Sequence, residues 1–331
     1  MKEKNCVLVT ILMPVYNRER YIRQAIEGAL SQTYTNFELF IINDCSTDRS
    51  EEIILSFKDS RIRYILNNEN IGNAASSLKA LSLAKGKYVA RMDDDDVSLP
   101  NRIQDQVRFL ETHPNLMGCC SDEVFINSNG EKIGWVRHLS DSELISCKAL
   151  FTMPVSNASM MFRRDALDAI PYNADIRGAG QDYEVIKRMC ARGMKFSCLR
   201  KFLVEYRKHE TNISNCTIEK GIRLREQYVR VEIESFLGRN ITENELGLHL
   251  CSYFPLFYQK NRKEERQWLV MLFQHNNKVK RYGHDDFAAF LFSRWVVYCI
   301  VTKKLWNILF VDLPIYNPRV FYKTIKLFMF K

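Results

Sequence analysis

Tyr88-Val89-Ala90-Arg91-Met92-Asp93-Asp94-Asp95-Asp96 runs from a short apolar segment straight into four carboxylates. That pattern is a buried strand ending at a polar rim, and the sequence before it repeats the arrangement. Val7 to Met13 is a β-branched apolar run closed by Pro14, Phe37 to Ile42 is a second closed by Asn43-Asp44, and Arg61 to Leu66 is a third. Between them lie stretches with helical spacing. Arg20 to Gln32 carries Ile22, Ala25, Ile26, Ala29 and Leu30 on one stripe. Ser46 to Phe57 has Asp48, Glu51 and Glu52 near its N-terminus, where the helix dipole favours them. Ala74 to Ala84 ends at Lys85-Gly86. The order βαβαβαβ predicts an α/β fold, a doubly wound, mainly parallel sheet over residues 1–112. Ligands of such sheets bind beyond the C-terminal strand ends. Pro14 to Asn17, Asn43-Asp44 and Asp93 to Asp96 all fall there, so Tyr16, Asp44 and Asp95 are expected to converge on one rim.

Four adjacent carboxylates behind an apolar strand repel one another unless a divalent cation or a network of donors offsets the charge. Oxygen ligands suit magnesium or manganese, ions that bridge diphosphate oxygens. The competing reading is a solvated acidic turn before Pro100. Further along, Leu116 to Ile126 and Asn157 to Phe162 read as strands and Asp182 to Ala191 as a helix, and the pattern is mainly helical from about 218.

Ile11 to Asn17, Leu30-Ser31-Gln32-Thr33-Tyr34, Phe37-Glu38-Leu39, Asn43 to Asp48, Asn70-Ile71-Gly72 and Asp93 to Asp96 stand in one order. Downstream come Ala179-Gln181-Asp182-Tyr183-Glu184 and Glu205-Tyr206-Arg207-Lys208-His209 through Ile213-Ser214. With these motifs the segment 5–215 resembles the inverting glycosyltransferases of family 2, which have the GT-A fold. The resemblance implies a transfer of one sugar from a nucleotide diphosphate donor, UDP-linked, to a hydroxyl acceptor, with Mn2+ or Mg2+ as cofactor. It implies nucleotide-sugar binding by Pro14, Tyr16, Asn17, Asp44, Asn70, Asp93, Asp94 and Arg207. Tyr16 matches the turn that packs on the base, and Asp44 the carboxylate that reads a uracil edge. Asp95 and His209 match metal ligands, and Asp182 the catalytic base. On the residues alone, Tyr16 is equally a plain turn aromatic, His209 a structural histidine and Asp182 the N-cap of its helix. Three positions depart from the family's habit: Asn43 where aspartate is frequent, Gln181 where glutamate is frequent, and no histidine near Asn157.

A chain of 331 residues with 46% hydrophobic content has ample material for a core. The formal charge of +9 is unevenly spread. Residues 1–210 hold 29 basic and 28 acidic side chains, whereas residues 211–331 hold 19 and 11. The expected division is therefore a catalytic domain over 1–215 and a helical, basic, aromatic-rich region over 216–331. Phe287 to Val301 is nearly all apolar, but shorter than the about 20 residues a membrane span needs. Pro314 and Pro318 interrupt the chain beyond it, and Val320 to Lys331 alternates lysines with Phe321, Ile325, Phe328 and Phe330. This reads as an interfacial amphipathic helix on an anionic membrane surface, or as a helix that packs on the protein or a second copy. The ten cysteines form no CxxC pair, and no apolar leader core comes after Met1 to Asn5, so the expected location is cytoplasmic, peripheral on the inner face of the membrane. The acceptor class expected is a glycan or lipid-linked glycan of surface polysaccharide or lipopolysaccharide-type synthesis. A nucleotidyltransferase would want a Gly-rich phosphate loop, and residues 7–20 contain no glycine. No nucleic-acid module is recognisable, so no nucleic-acid partner is expected. A non-catalytic nucleotide-sugar or carbohydrate binder on the same fold is the alternative, and it has no use for both the acid cluster and Asp182.

Overall fold

The computed structural model describes residues 7–177, 180–212, 218–253, 261–303, 308, 313 and 317–329. Ala179, Ile213, Ser214, Pro314, Phe330 and Lys331 lie outside them. The chain clusters into two compact units, Met1–Ser140 with Val155–Thr217, and Asp141–Pro154 with Ile218–Lys331.

The first unit alternates strand and helix: β1 Val9–Val15, α1 Ile22–Leu30, β2 Phe37–Asn43, α2 Ser50–Ser56, β3 Ile62–Leu66, α3 Asn73–Leu81 and β4 Tyr88–Arg91. Next in the chain are β5 Val97–Ser98, α4 Arg102–Thr112, β6 Leu116–Ile126 and β7 Lys132–Val136. After the excursion 141–154 come β8 Met161–Arg163, α6 Arg164–Ala169, α7 Gln181–Ala191 and β9 Lys195–Arg207. The strands make one sheet in the order β3-β2-β1-β4-β8-β6-β9-β5, with β7 paired to β6. β3, β2, β1 and β4 run parallel, as the sequence pattern requires. Every residue of β1 is buried, as expected for a central strand covered on both faces. β8 then enters antiparallel between β4 and β6, and β6 pairs parallel with β9. The fold is thus the mainly parallel doubly wound sheet expected, extended by a mixed half. Its order reverses between β1 and β4, and the crevice at such a switch point is where these sheets take ligands.

Two expected elements differ in extent. The strand expected from Asn157 starts only at Met161, because Met160 N–H donates to Asn157 O and closes a turn. The helix expected from Ser46 starts at Ser50, whose N–H is taken by Asp48 Oδ1 at 2.9 Å after Cys45 adopts a left-handed φ of 62°. Gly86 is required by close approach: a Cβ there would stand 2.4 Å from Thr10 N and 2.7 Å from Tyr88 O. Gln32 is a structural strut. Its Nε2 donates to Gly28 O and Leu99 O, both at 2.9 Å, and its Oε1 accepts from Ile103 N at 3.1 Å. It thereby ties the end of α1 to the start of α4.

The second unit comprises α5 Ser142–Ala149, α8 Ile218–Leu237, α9 Glu243–Tyr253, α10 Arg262–Val279, α11 His284–Val301 and α12 Pro318–Met329. α11 is apolar nearly all round because it is the unit's core helix. It buries Phe287, Phe290, Leu291 and Trp295 and packs against α5, α9, α10 and α12. His249 on α9 donates from Nε2 to Leu150 O at 3.0 Å and accepts at Nδ1 from Trp268. Burial pushes its pKa down to about 4, which fixes the neutral ring these bonds need. No helix among the described residues is long and apolar enough to cross a membrane.

Gln32→Leu should leave the Ile103 amide unpartnered in the core and take one of two donors from each of the Gly28 and Leu99 carbonyls. We expect a loss of about 1–3 kcal/mol, read as a shift of the urea unfolding midpoint.

Candidate active site

One cavity of about 660 Å³ opens at the β1/β4 switch point, within the range of small-molecule sites. The ends of three parallel strands supply Pro14 to Arg18, Asp44 and Asp93 to Asp95; the loop before α3 and its first residue supply Asn70, Gly72 and Asn73. Asn157, Gly180 to Asp182, Tyr206, Thr211 and Asn212 complete the lining. Thus Pro14, Tyr16, Asn17, Asp44, Asn70, Asp93, Asp94, Asp95 and Asp182, each singled out in the sequence, line a single space.

The turn after β1 is held rigid. Asn17 adopts a φ of 52°, its N–H donates to Ser46 Oγ, and its Oδ1 accepts from Thr47 N at 2.8 Å. Tyr16 remains 44% exposed at the cavity, and its N–H donates to Asp94 Oδ2 at 3.1 Å. Asp44 is buried and organises the next loop. Its Oδ1 accepts from Asn67 Nδ2, Ile71 N and Ser76 Oγ at 2.8–3.0 Å, and its Oδ2 from Gly72 N at 2.8 Å. Oδ1 is saturated, and Oδ2 retains acceptor capacity on the cavity side. Asn43 is structural: its amide joins Tyr64 OH and Ser46 N.

The four carboxylates are each met by something different. Asp93 lies 3.5 Å from Arg91 Nη2, and Arg91, buried, is fixed by Ser77 Oγ and Asn73 Oδ1. Asp94 and Asp95 share Arg18, with Nε at 3.1 and 3.4 Å. Asp95 Oδ2 also meets His209 Nε2 at 2.9 Å. Asp96 Oδ1 accepts from Arg207 N, while its Oδ2 is buried and has no partner among the described residues. Burial, then the neighbouring Asp95 charge, pushes Asp94 up to about 8 against the pull of Arg18. Burial likewise lifts Asp93 to about 6, opposed first by Arg91. Asp93 keeps 30% of its side-chain surface open, so solvent softens that shift. A cluster held so far above the ordinary carboxylate range favours additional positive charge.

Asp182 stands in the first turn of α7, after Gly180 with a φ of 94°. Its Oδ1 accepts from Tyr183 N at 2.8 Å, so it does tie down the helix start. Burial raises its pKa, and the Tyr183 N–H and Arg91 hold it partly back. Beside it, Gln181 Oε1 and Asn157 Oδ1 are buried and unpartnered among the described residues, on the wall the cavity exposes to a ligand.

Two expected residues stand elsewhere. Arg207 does not line the cavity. Its Nε donates to Asp95 O, its Nη1 to Asn127 O, and its Nη2 to Gln24 Oε1, so the guanidinium is consumed as a buried brace beneath the acid loop. His209 stands behind Asp95, its Nδ1 against Thr211 Oγ1 at 2.9 Å and its ring 4.6 Å from Tyr21. Arg18, Arg91, Asn73 and Tyr206 belong to the site or its floor without having been singled out. Lone arginines and asparagines carry no spacing signal.

The turn after β1, the acid cluster and the buried Asp182 thus share one cavity at the switch point of a GT-A fold. Comparison with known proteins agrees. The sequence profile described as glycosyl transferase family 2 matches residues 10–170. A glycosyltransferase of Methanocaldococcus jannaschii is 32% identical over 205 residues, covering 60% of this chain and 70% of that protein. The chain belongs to glycosyltransferase family 2. The UDP-Glc:alpha-D-GlcNAc-diphosphoundecaprenol beta-1,3-glucosyltransferase WfaP of Escherichia coli is 45% identical over 105 residues, 32% of this chain and 42% of its own. The crystal structure of Staphylococcus aureus TarS 1–349 in complex with UDP-GlcNAc shares the fold, with a TM-score of 0.57 at 18% identity over 91% of this chain and 89% of that one.

Asp44→Ala should release the 67–76 loop. We expect faster hydrogen exchange at the Ile71 and Gly72 amides, measured by mass spectrometry, with β1 and β2 as protected as in the wild type.

Proposed function

We propose that the chain transfers a sugar from a UDP-linked donor to a hydroxyl acceptor with inversion, Mn2+ or Mg2+ serving at the acid cluster. The observation that carries this is a single cavity lined by Tyr16, Asp44, Asp93 to Asp95 and Asp182 together. Catalysis is assigned to residues 1–215. Tyr16 offers its ring to the base, a contact contributing about 1–3 kcal/mol where aromatics stack on bases. Asp44 Oδ2 accepts from the edge of a uracil. Pro14, Asn17 and Asn70 shape the nucleoside end, and Asp93 and Asp94 face ribose and diphosphate. Arg207 serves this site as a positioning residue, through the acid loop it braces.

Among the described residues no three His, Cys, Asp or Glu side chains gather to hold a metal. The protein's own contribution is therefore Asp95 with His209, whose donor atoms already meet at 2.9 Å. That set suits Mg2+ or Mn2+, which complete their shells with water and substrate phosphates. Burial and the Asp95 charge raise the carboxyls of Asp93 and Asp94 beside this pair, an environment that further positive charge would relieve. When bound, the ion offsets charge on the leaving diphosphate.

Asp182 takes the acceptor proton. Inversion is a single displacement, so one carboxylate suffices. The Tyr183 amide keeps Oδ1 occupied, which leaves Oδ2 for the hydroxyl, and burial makes the group a stronger base than a surface carboxylate. WfaP is named for a UDP-glucose donor and a diphosphoundecaprenol-linked acceptor, and TarS was crystallised with UDP-GlcNAc. Both favour a UDP donor, and the first a glycan or lipid-linked acceptor in polysaccharide biosynthesis.

Such an acceptor places the enzyme at the inner face of the membrane as a peripheral protein, through residues 216–331. α12 supports this. Its Val320, Thr324 and Leu327 are buried, with Thr324 Oγ1 against Ala289 O of α11, while Phe321, Tyr322 and Ile325 point outward at 39–60% exposure. Arg319 stands exposed beside them.

Asp182→Asn keeps the Tyr183 contact and cannot accept a proton. With donor KM near the wild type, kcat should fall about 10²–10⁴-fold, and wild-type product analysed by NMR should show inverted anomeric configuration. A retained product or a variant above a tenth of wild-type kcat would sink the assignment.

The triple variant Phe321→Ser, Tyr322→Ser, Ile325→Ser should stay folded, because all three side chains face outward. It should no longer sediment with vesicles containing phosphatidylglycerol, whereas the wild type sediments in a salt-sensitive way.

A further inference from the structure

Four arginines surround the acid loop, and they are not equivalent. Arg91, Arg102 and Arg207 are buried and committed. Arg91 is fixed by α3, Arg102 donates to Arg91 O, Ser98 and Gln106, and Arg207 braces carbonyls. Among the described residues Arg18 is the one arginine that lines the cavity. Its Nε sits on Asp94 Oδ1 and Asp95 Oδ2 at once, and Nη1 reaches no further than the carbonyls of Tyr16 and Asn17 at 3.4 and 3.1 Å. The first is a long contact and the second an ordinary bond to a neighbouring carbonyl. The backbone of Arg18 is held independently: its N–H donates to Ser50 Oγ at 2.8 Å, and its carbonyl accepts from Tyr21 and Ile22 at 2.9 Å. The side chain can therefore change partner without disturbing the turn or α1.

We infer that Arg18 is an exchangeable counter-cation. It balances Asp94 and Asp95 in the nucleotide-free protein and passes its guanidinium to the donor's diphosphate when a divalent cation takes Asp95. This rests on the donor reading of the cavity given above. Charge balance carries it. A divalent cation arriving alone must join a loop on which Arg18 already sits, and the two repel at close range. A diphosphate arriving alone meets an acid cluster. Arriving together, they let the guanidinium leave two carboxylates that share its single Nε–H for two phosphate oxygens that it can meet with two parallel N–H groups. Metal and nucleotide thus bind as a coupled pair, and free metal has little claim on the site.

Isothermal titration calorimetry with MnCl2 alone, and with UDP in the presence and absence of MnCl2, tests this on wild type, Arg18→Gln and Arg18→Lys. Arg18→Gln should bind Mn2+ at least about tenfold more tightly than wild type without nucleotide, and UDP at least about tenfold more weakly with Mn2+, the worth of one charged hydrogen bond each way. Arg18→Lys, which keeps the charge, should lie nearer wild type in both. Circular dichroism melts confirm folding, and should Arg18→Gln not fold, Arg18→Met takes its place. An unchanged Mn2+ affinity in nucleotide-free Arg18→Gln overturns the counter-cation, and an unchanged UDP affinity overturns the diphosphate contact. A wild type that binds neither UDP nor Mn2+ removes the donor reading itself, a result distinct from both.

Discussion

Four carboxylates at the end of one buried strand are the constraint on which the first unit is built. At contact distances like charges cost heavily in a low-dielectric setting, so the chain must bring donors to them from many directions. It does so from the turn after β1 through Arg18, from the floor through Arg91 and from the end of β9 through the backbone of Arg207 and the ring of His209, while Arg102 of α4 adds buried positive charge near Asp93 and Asp96. His209 alone stands 114 residues from the Asp95 that it meets. The convergence of these elements is what joins the parallel half of the sheet to the mixed half. The balance is incomplete, since Asp93, Asp94 and Asp96 all remain raised. A folded state that keeps such a deficit at a cavity wall holds binding energy ready for a positively charged guest.

The parallel half was legible because it obeys local rules. β1 and β2 are continuous apolar runs, α1 carries a single apolar stripe, and the polar clusters sit just past the strand ends. Leu116 to Ile126 was legible for the same reason. The mixed half was not. β8 has three residues and β5 two, too short for any period, and the register of β6 with β9 shifts at Ser121/Asp122 and Asp122/Glu123, which breaks the alternation a reader would track.

The site divides along the same line. Tyr16, Asp44, Asp93 to Asp95 and Asp182 stand in motifs, and the fold brings them to one cavity. Arg18 and Arg91 were missed, since an isolated arginine looks alike whether it is solvated or sunk under a carboxylate. Arg207 was found and its partner misjudged: its motif position says that it is near the acid loop, and only coordinates show that it faces carbonyls on the far side. In the second unit the apolar run of α11 was correctly too short to span a bilayer. That its neighbours include α5, more than a hundred residues earlier, is a long-range fact no periodicity encodes.

That last pairing bears on how this chain can be taken apart. The backbone passes between the two units after Ser140, after Pro154 and again after Thr217. α5 is encoded in the middle of the sheet-forming sequence, yet buries Leu144, Ile145 and Cys147 among the helices of the other unit. The helical unit is therefore not a cassette appended at the C-terminus. Cutting it away strips α5 of its cover and leaves an apolar face in water, the kind of patch that drives aggregation. Grafting it onto a related catalytic sheet transfers five of its helices and leaves the sixth behind. A swap of C-terminal halves between relatives therefore has to carry residues 141–154 along with it if α5 is to keep its neighbours.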